Sequence, residues 1–401
     1  MKKILFISYN YYPPIYSGQL IAANKRLQDL DPAKFEVVVL TAGIKDYPRV
    51  QRLGNIQIYR SPYLGSGRIT KRLTIFVYWL WSISRLLFEK NIRVVHFDET
   101  MGISLPLLDQ ASYISAWVYF AWMAKIAKHR KIKTIFEHAI SDREGHFTPD
   151  EWSKNFYRYM DHIVCVSDAL FEAVHHVFPE KAIKIVYGIE DDVFVPPNEM
   201  ERSHFRQLQG IEVGEVVFCF LGLVVERKGF DLISAVFPQV LEFYPNSILW
   251  CVGPRSHQES RHIHDDEVQK YLNILEPVKD HVMFWGMIDD RPYLARILGA
   301  ADAFLFPTRK EGFGLAPVEA MACGIPPIIA RIPGVTDLAS IEGETGIYIT
   351  PGSANELKEA MLTLARDEKM RKAMGRKARQ RVLDAFSWKQ HVASWLNLYD
   401  S

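Results

Sequence analysis

Two carboxylates, Glu311 and Glu319, bracket the turn Gly312-Phe313-Gly314 within the run from Thr308 to Pro326. Before the turn, Ala303-Phe304-Leu305-Phe306 reads as a buried strand that Pro307 stops, and after it a helix opens near Leu315. A strand, a glycine turn and a helix N-terminus together make an anion site. The unpaired amides of the first helical turn point outward, and the helix dipole adds about half a positive charge there. Acids on either side of such a cradle cannot serve the anion itself, because like charges repel; they are suited to accept hydrogen bonds from hydroxyl groups. An anion with hydroxyls on both flanks describes ribose, diphosphate and hexose in one molecule, a nucleotide sugar. Two surface glutamates eight apart on a helix would mean little alone. The strand, the turn and Ala322-Cys323-Gly324-Ile325-Pro326 behind them give the pair its reading.

A second candidate lies in Gly222-Leu223-Val224-Val225-Glu226-Arg227-Lys228-Gly229. Arg227 and Lys228 are neighbouring cations that fit a diphosphate of charge about −2, one as a fork and one as a compact charge. An exposed basic turn is the plainer alternative. The acidic pairs Asp191-Asp192 and Asp289-Asp290 read as solvated loop residues, and no metal site is expected.

Positioning these groups requires an α/β framework. Short apolar runs alternate with longer amphipathic segments, the pattern of parallel sheets covered by helices. Strands are expected at Ile4–Ser8, Glu36–Leu40, Ile56–Tyr59, Arg93–Phe97, Lys133–Glu137, His162–Val166 and Lys184–Val186 in the first half. In the second half they fall at Val216–Leu221, Ser247–Val252, His281–Trp285, Ala303–Phe306, Pro327–Ala330 and Gly346–Ile349. The rhythm lapses at Phe194-Val195-Pro196-Pro197-Asn198, which places a domain junction there. A final helix is expected from the spacing of Val392, Trp395, Leu396 and Tyr399.

A chain of 401 residues fits two domains of about 200 residues each. Apolar content of 48% and charged content of 24% belong to a globular protein, and a net charge of +1 gives no general pull toward nucleic acid. Four scattered cysteines, Cys165, Cys219, Cys251 and Cys323, lack metal-ligand spacing and read as buried thiols in a reducing compartment. The apolar run after Met1-Lys2-Lys3 is too short for a signal peptide, so a cytoplasmic location is expected.

The Glu311–Glu319 segment closely resembles the E-x₇-E signature of the retaining glycosyltransferases of family 4. The resemblance implies the GT-B fold: two Rossmann-like domains facing across a cleft, with a C-terminal helix crossing back to the first domain. Residues 1–195 would be the acceptor side, 196–384 the nucleotide-sugar side and 385–401 the returning helix. It also implies roles. Glu311 would contact the donor sugar, Glu319 the ribose hydroxyls, and the backbone of Phe313, Gly314 and Leu315 the diphosphate. The family's G-R-L followed by K-G is matched at Lys228 and Gly229, while Leu223 stands where the Arg is expected and Arg227 offers a second charge. Its glycine-rich first loop is represented by Gly18, with Ser17 in place of the other glycine. His138, ending the strand Thr134-Ile135-Phe136-Glu137, matches the histidine near the reacting centre; His96, at the end of another strand, reads as structural. Tyr187-Gly188-Ile189-Glu190 resembles the family's N-G-V-D element and serves as a fold marker.

The function implied is hexosyl transfer with retention, without metal or other cofactor, from a UDP- or GDP-sugar to a glycan or glycolipid of the cell surface. Two rivals stand beside it. A dinucleotide-dependent oxidoreductase would want G-x-G-x-x-G, which neither Tyr9–Gly18 nor Gly222–Gly229 provides. A non-catalytic nucleotide-sugar-binding relative would account for Leu223. Segments 68–88 and 116–133, rich in aromatics and flanked by basic residues, are too interrupted to span a bilayer. They could instead lie on an anionic inner membrane face or be buried helices of the first domain.

Overall fold

A computed structural model describes residues 1–11, 18–65, 67–98, 110–139, 149–260, 263–335 and 343–401. The chain divides into two compact units, Met1–Val186 with Val392–Ser401, and Tyr187–His391. Each unit has its own sheet.

In the first unit the strands are β1 (Lys2–Ile7), β2 (Phe35–Thr41), β3 (Val50–Leu53), β4 (Ile56–Arg60), β5 (Ile92–Asp98), β6 (Lys133–His138), β7 (His162–Cys165) and β8 (Ala182–Lys184). Their spatial order is β3-β4-β2-β1-β5-β6-β7-β8. Every pairing is parallel except β3 with β4. Two expectations need correcting. The antiparallel edge strand β3 was not anticipated, because Val50-Gln51-Arg52-Leu53 has only its two ends apolar and none of its residues is buried. The last strand lies at Ala182–Lys184 rather than Lys184–Val186, since its pairing with β7 ends before the apolar run does.

The first core is built from alternate residues of the inner strands, among them Ile4 and Phe6 of β1 and Val37 and Val39 of β2. Trp395, Leu398 and Tyr399 complete it. They come from the helix Trp388–Asp400, whose residues from Val392 onward belong to this unit. A polar network is buried in the same place. Arg26, on helix Gly18–Gln28, donates from Nη2 to Glu137 Oε2 at 2.8 Å, and its guanidinium lies 3.9 Å from the Trp395 ring centroid. His96 stacks on Trp395 at 4.8 Å, shares a 2.7 Å hydrogen bond with the Tyr399 hydroxyl through Nδ1, and places Nε2 3.3 Å from Glu137 Oε2. Burial lowers the His96 imidazole to about 4, and Arg26 reinforces that shift while Glu137 opposes it. Burial would raise the Glu137 carboxyl, but Arg26 and His96 outweigh it and hold the group far below the usual carboxylate range.

The second unit contains β9 (Val216–Leu221), β10 (Ser247–Val252), β11 (Val282–Gly286), β12 (Ala303–Phe306), β13 (Pro327–Ala330) and β14 (Ile347–Ile349). The order is β11-β10-β9-β12-β13-β14, all parallel. Four of this unit's helices start at capping side chains: Asn198 forms a capping box with Glu201, and Asp290, Ser353 and Asp367 each accept from a first-turn amide. Asp302, just before β12, accepts from Arg202, Arg206 and the Val217 amide and pairs with Arg371 at 3.3 Å, which ties two helices to the sheet.

Strand order reverses between β1 and β5 in the first sheet and between β9 and β12 in the second. In open parallel sheets, the crevice beyond the strand C-termini at such a reversal is where ligands bind.

Candidate functional site

The loops after β9 and β12 leave the second sheet at its reversal point, and both carry candidate residues. After β9 the chain makes a single 3₁₀ turn, Glu226–Lys228, and passes through Gly229 into helix Phe230–Phe243. Gly229 adopts φ 76°, and a Cβ there would lie 2.1 Å from the Pro307 carbonyl oxygen, so only glycine lets the two loops approach. They are then stitched together. The Arg309 amide donates to Arg227 O at 2.9 Å, as does the Thr308 hydroxyl at 3.1 Å. Arg309 reaches back with a two-pronged pair to Asp231, both contacts 2.6 Å.

Gly314, at φ 89°, leads into helix Leu315–Ala322 without a side-chain cap. Pro317 occupies the third position of that helix, where its missing N–H leaves no bond unmade. Among the described residues, no group accepts a hydrogen bond from the amides of Phe313, Gly314 or Leu315. The Phe313 ring is buried, edge-on to Tyr187 at 5.2 Å and to Phe386 at 6.0 Å. An anchored side chain fixes the backbone on which the open donors sit.

Each acid of the pair has a cationic partner. Lys228 Nζ donates to Glu311 Oε1, and Arg227 Nη1 lies 3.9 Å from the same oxygen. Burial lowers the Lys228 ammonium below its ordinary value; Arg227 acts with it and Glu311 against it. Glu319 is buried in its helix and accepts from Arg291 Nη1 at 2.6 Å. Arg291 also donates from Nε to Glu190 Oε2 at 3.1 Å. Against the cost of burial, these two carboxylates raise the Arg291 guanidinium above its usual value.

Of the sequence candidates, Arg227, Lys228, Glu311, Phe313, Gly314, Leu315 and Glu319 all lie in the second unit, on or just after the paired loops. Gly18 and His138 lie in the first. Gly18 is the first residue of helix Gly18–Gln28, after β1; the neighbouring Ser17 lies outside the described residues. His138 ends β6, nearly buried, with its ring stacked on Phe136 at 5.7 Å and edge-on to Tyr157 at 6.0 Å. His96 is fully buried within the first core.

Three residues at this site escaped sequence reasoning. Arg309 and Asp231 join the loops, and Arg291 holds Glu319. Glu190, read only as a fold marker, is the second acid on Arg291. The one available signal was Asp290-Arg291-Pro292, a helix start that puts Arg291 in the first turn. Asp290 itself caps that helix, accepting from the Tyr293 amide at 3.1 Å.

Residues 201–381 match the protein family Glycosyl transferases group 1. An uncharacterised glycosyltransferase of Methanocaldococcus jannaschii is 22% identical over 99% of this chain and 97% of its own. Among solved structures, sucrose-phosphate synthase from Thermosynechococcus elongatus superposes with a TM-score of 0.78 at 20% identity, covering 100% of this chain and 98% of that one. HepE of Anabaena, in complex with UDP and glucose, gives a TM-score of 0.73 at 16% identity, with 100% of each chain covered. The fold shared with these structures is GT-B.

Proposed function

We propose, from the premise that residues 201–381 belong to the glycosyl transferases group 1 family, that this glycosyltransferase moves a hexose, with retention, from a nucleoside diphosphate sugar to a glycan or glycolipid acceptor. The observation that carries the reading is the gathering, at the β9/β12 reversal, of open amides, a lysine and two glutamates on two stitched loops and the helix that follows the second. The amides of Phe313 to Leu315 and the dipole of helix Leu315–Ala322 would receive the diphosphate, with Lys228 and Arg227 balancing its charge. Glu319 would accept from the ribose hydroxyls and Glu311 from the hexose. Stabilising the departing diphosphate is then the main catalytic contribution, and these cations would supply it without a metal ion. His138 is assigned to the reacting centre, and Gly18 to donor contact, on the family resemblance. HepE, described with UDP and with UDP-glucose, favours a uridine donor.

Thermal unfolding with UDP, GDP and ADP tests the donor class. One diphosphate at a hundredfold its Kd should stabilise the protein by about 2.7 kcal/mol. The matching nucleotide sugars should then yield product with the donor's anomeric configuration, read by NMR. Absence of any shift with all three nucleotides would overturn the reading; binding without transfer would favour a non-catalytic relative.

We further propose that the acceptor is met at an anionic membrane surface, on its cytoplasmic side. No helix among the described residues is long and apolar enough to cross a membrane. Helix Arg68–Phe88 instead has two apolar faces: Ile75, Tyr78 and Leu86 are buried, while Leu73, Phe76, Leu80 and Leu87 form an exposed stripe. Trp122 is exposed on helix Gln110–His129, with Lys125 beside its ring at 5.9 Å. Basic Arg68, Lys71 and Arg72 precede the stripe in sequence. Apolar residues beside cations suit a surface-lying contact with anionic lipid. Sedimentation with phosphatidylglycerol vesicles, but not phosphatidylcholine vesicles, is expected, and Leu73→Ser/Phe76→Ser/Leu80→Ser should abolish it. Equal sedimentation of that variant would sink the idea.

A further inference from the structure

We propose that Arg291 is the positioning residue for the ribose end of the donor, a role that rests on reading Glu319 as the ribose acceptor. Arg291 is the first residue of helix Arg291–Ala300, and its guanidinium is held on three sides. Nη1 donates to Glu319 Oε1 at 2.6 Å, Nε donates to Glu190 Oε2 at 3.1 Å, and the group lies 4.6 Å from the Phe194 ring centroid. The second acid and the ring leave the guanidinium little freedom, so the orientation of Glu319 is set by a rigid neighbour. Flexible glutamates lose side-chain entropy when a ligand fixes them; a carboxylate already fixed has less to lose.

Two consequences follow for binding. A carboxylate offers about four acceptor directions, and Arg291 takes one, leaving the remainder for the 2′ and 3′ hydroxyls. An unpaired Glu319 beside the diphosphate cradle would repel the anion that the cradle must hold. Arg291, which also serves Glu190, offsets part of that charge while leaving the oxygens able to accept. It is thus chiefly an aiming device that also softens the local charge, and it acts through Glu319.

A purely structural Arg291, tying helix Arg291–Ala300 to its neighbours, would affect ribonucleotides and deoxyribonucleotides alike. A positioning role affects them differently. Calorimetric titration with UDP and 2′-deoxy-UDP, or GDP and 2′-deoxy-GDP if guanosine binds better, separates the two. The wild type should prefer the ribonucleotide by about tenfold, since the lost hydroxyl bonds a charged acceptor. Glu319→Gln should remove that preference. Arg291→Ala should weaken ribonucleotide binding by about tenfold and reduce the preference below about threefold. Arg291→Lys should recover much of the affinity, because the charge remains, but little of the preference, because the fork is gone. Glu190→Gln, which loosens Arg291 without touching Glu319, should fall between wild type and Arg291→Lys. Retention of the full preference in Arg291→Lys and Glu190→Gln overturns the inference, and both remain decisive if Arg291→Ala fails to fold. If Glu319→Gln keeps the preference, or the wild type binds no nucleotide, the ribose reading of Glu319 fails first.

Discussion

Glu311→Gln is expected to lose about 10²–10³-fold in transfer rate and yet bind free nucleoside diphosphate more tightly than the wild type. The two effects share one cause. Lys228 donates to Glu311, so a diphosphate arriving without a sugar must draw the lysine away from a carboxylate whose other cationic neighbour, Arg227, stands 3.9 Å off. On the proposed reading a nucleotide sugar would meet a lesser penalty, because its hexose hydroxyls would replace Lys228 as the partner of Glu311. The pair is half-buried, so relief from competition should be worth ~1 kcal/mol, about fivefold in Kd. Calorimetry with UDP or GDP reads the affinity, and initial rates with the sugar donor read the loss. Lys228→Ala provides the contrast: it should weaken both ligands, since the cation itself is gone. Weaker diphosphate binding by Glu311→Gln would show that Glu311 is not the competitor described here. On the proposed reading the arrangement would also aid turnover, because Glu311 would favour departure of the spent nucleotide.

The second large effect lies in the first unit. Glu137→Gln should destabilise that unit by about 3–5 kcal/mol, because it removes the carboxylate that pairs at 2.8 Å with the fully buried Arg26 guanidinium. Hydrogen exchange of amides in β1, β5 and β6, followed by mass spectrometry, isolates the effect from the second unit. The same network predicts acid sensitivity. His96 is held at about 4 in the folded chain, against about 6.5 when unfolded. Above pH 6.5 it is neutral in both states and costs nothing. As the pH falls from 6.5 toward 4, only the unfolded chain takes up the proton, so stability falls, by about 3 kcal/mol in the limit. Glu137 adds to the loss at lower pH: its stabilisation, present above the ordinary carboxylate range, fades as the pH drops toward its depressed folded value. His96→Asn should flatten the profile between pH 6.5 and 4. A wild-type protection profile constant across that interval would contradict the assignment.

The sheets were legible because parallel strands buried on both faces are unbroken apolar runs, as in Val216–Leu221 and Ala303–Phe306, whose observed bounds match those expected. β3 was not legible. An edge strand need bury nothing, and Val50-Gln51-Arg52-Leu53 has no run to see. The acids and the glycine turn stood out because spacing along one segment preserved them. Arg291, Arg309 and Asp231 did not, since their meaning comes from partners far along the chain: 28 residues for Arg291 with Glu319 and 78 for Arg309 with Asp231. A charged residue in a loop looks the same whether it is solvated or clamped. The helix Arg68–Phe88 was ambiguous for the opposite reason. Apolar residues on both faces suggest a buried element, and only the fold reveals that one face is exposed.

Trp395, Leu398 and Tyr399 close a core whose other walls are made from residues before Val186. On a ribosome the second unit is synthesised between these two contributions. At ordinary elongation rates the first sheet therefore waits roughly 10 to 40 seconds with its apolar floor open and Arg26 and Glu137 without their aromatic cover. During that interval the nascent chain presents a sticky surface, and chaperones that shield such surfaces should be found on translating ribosomes carrying it.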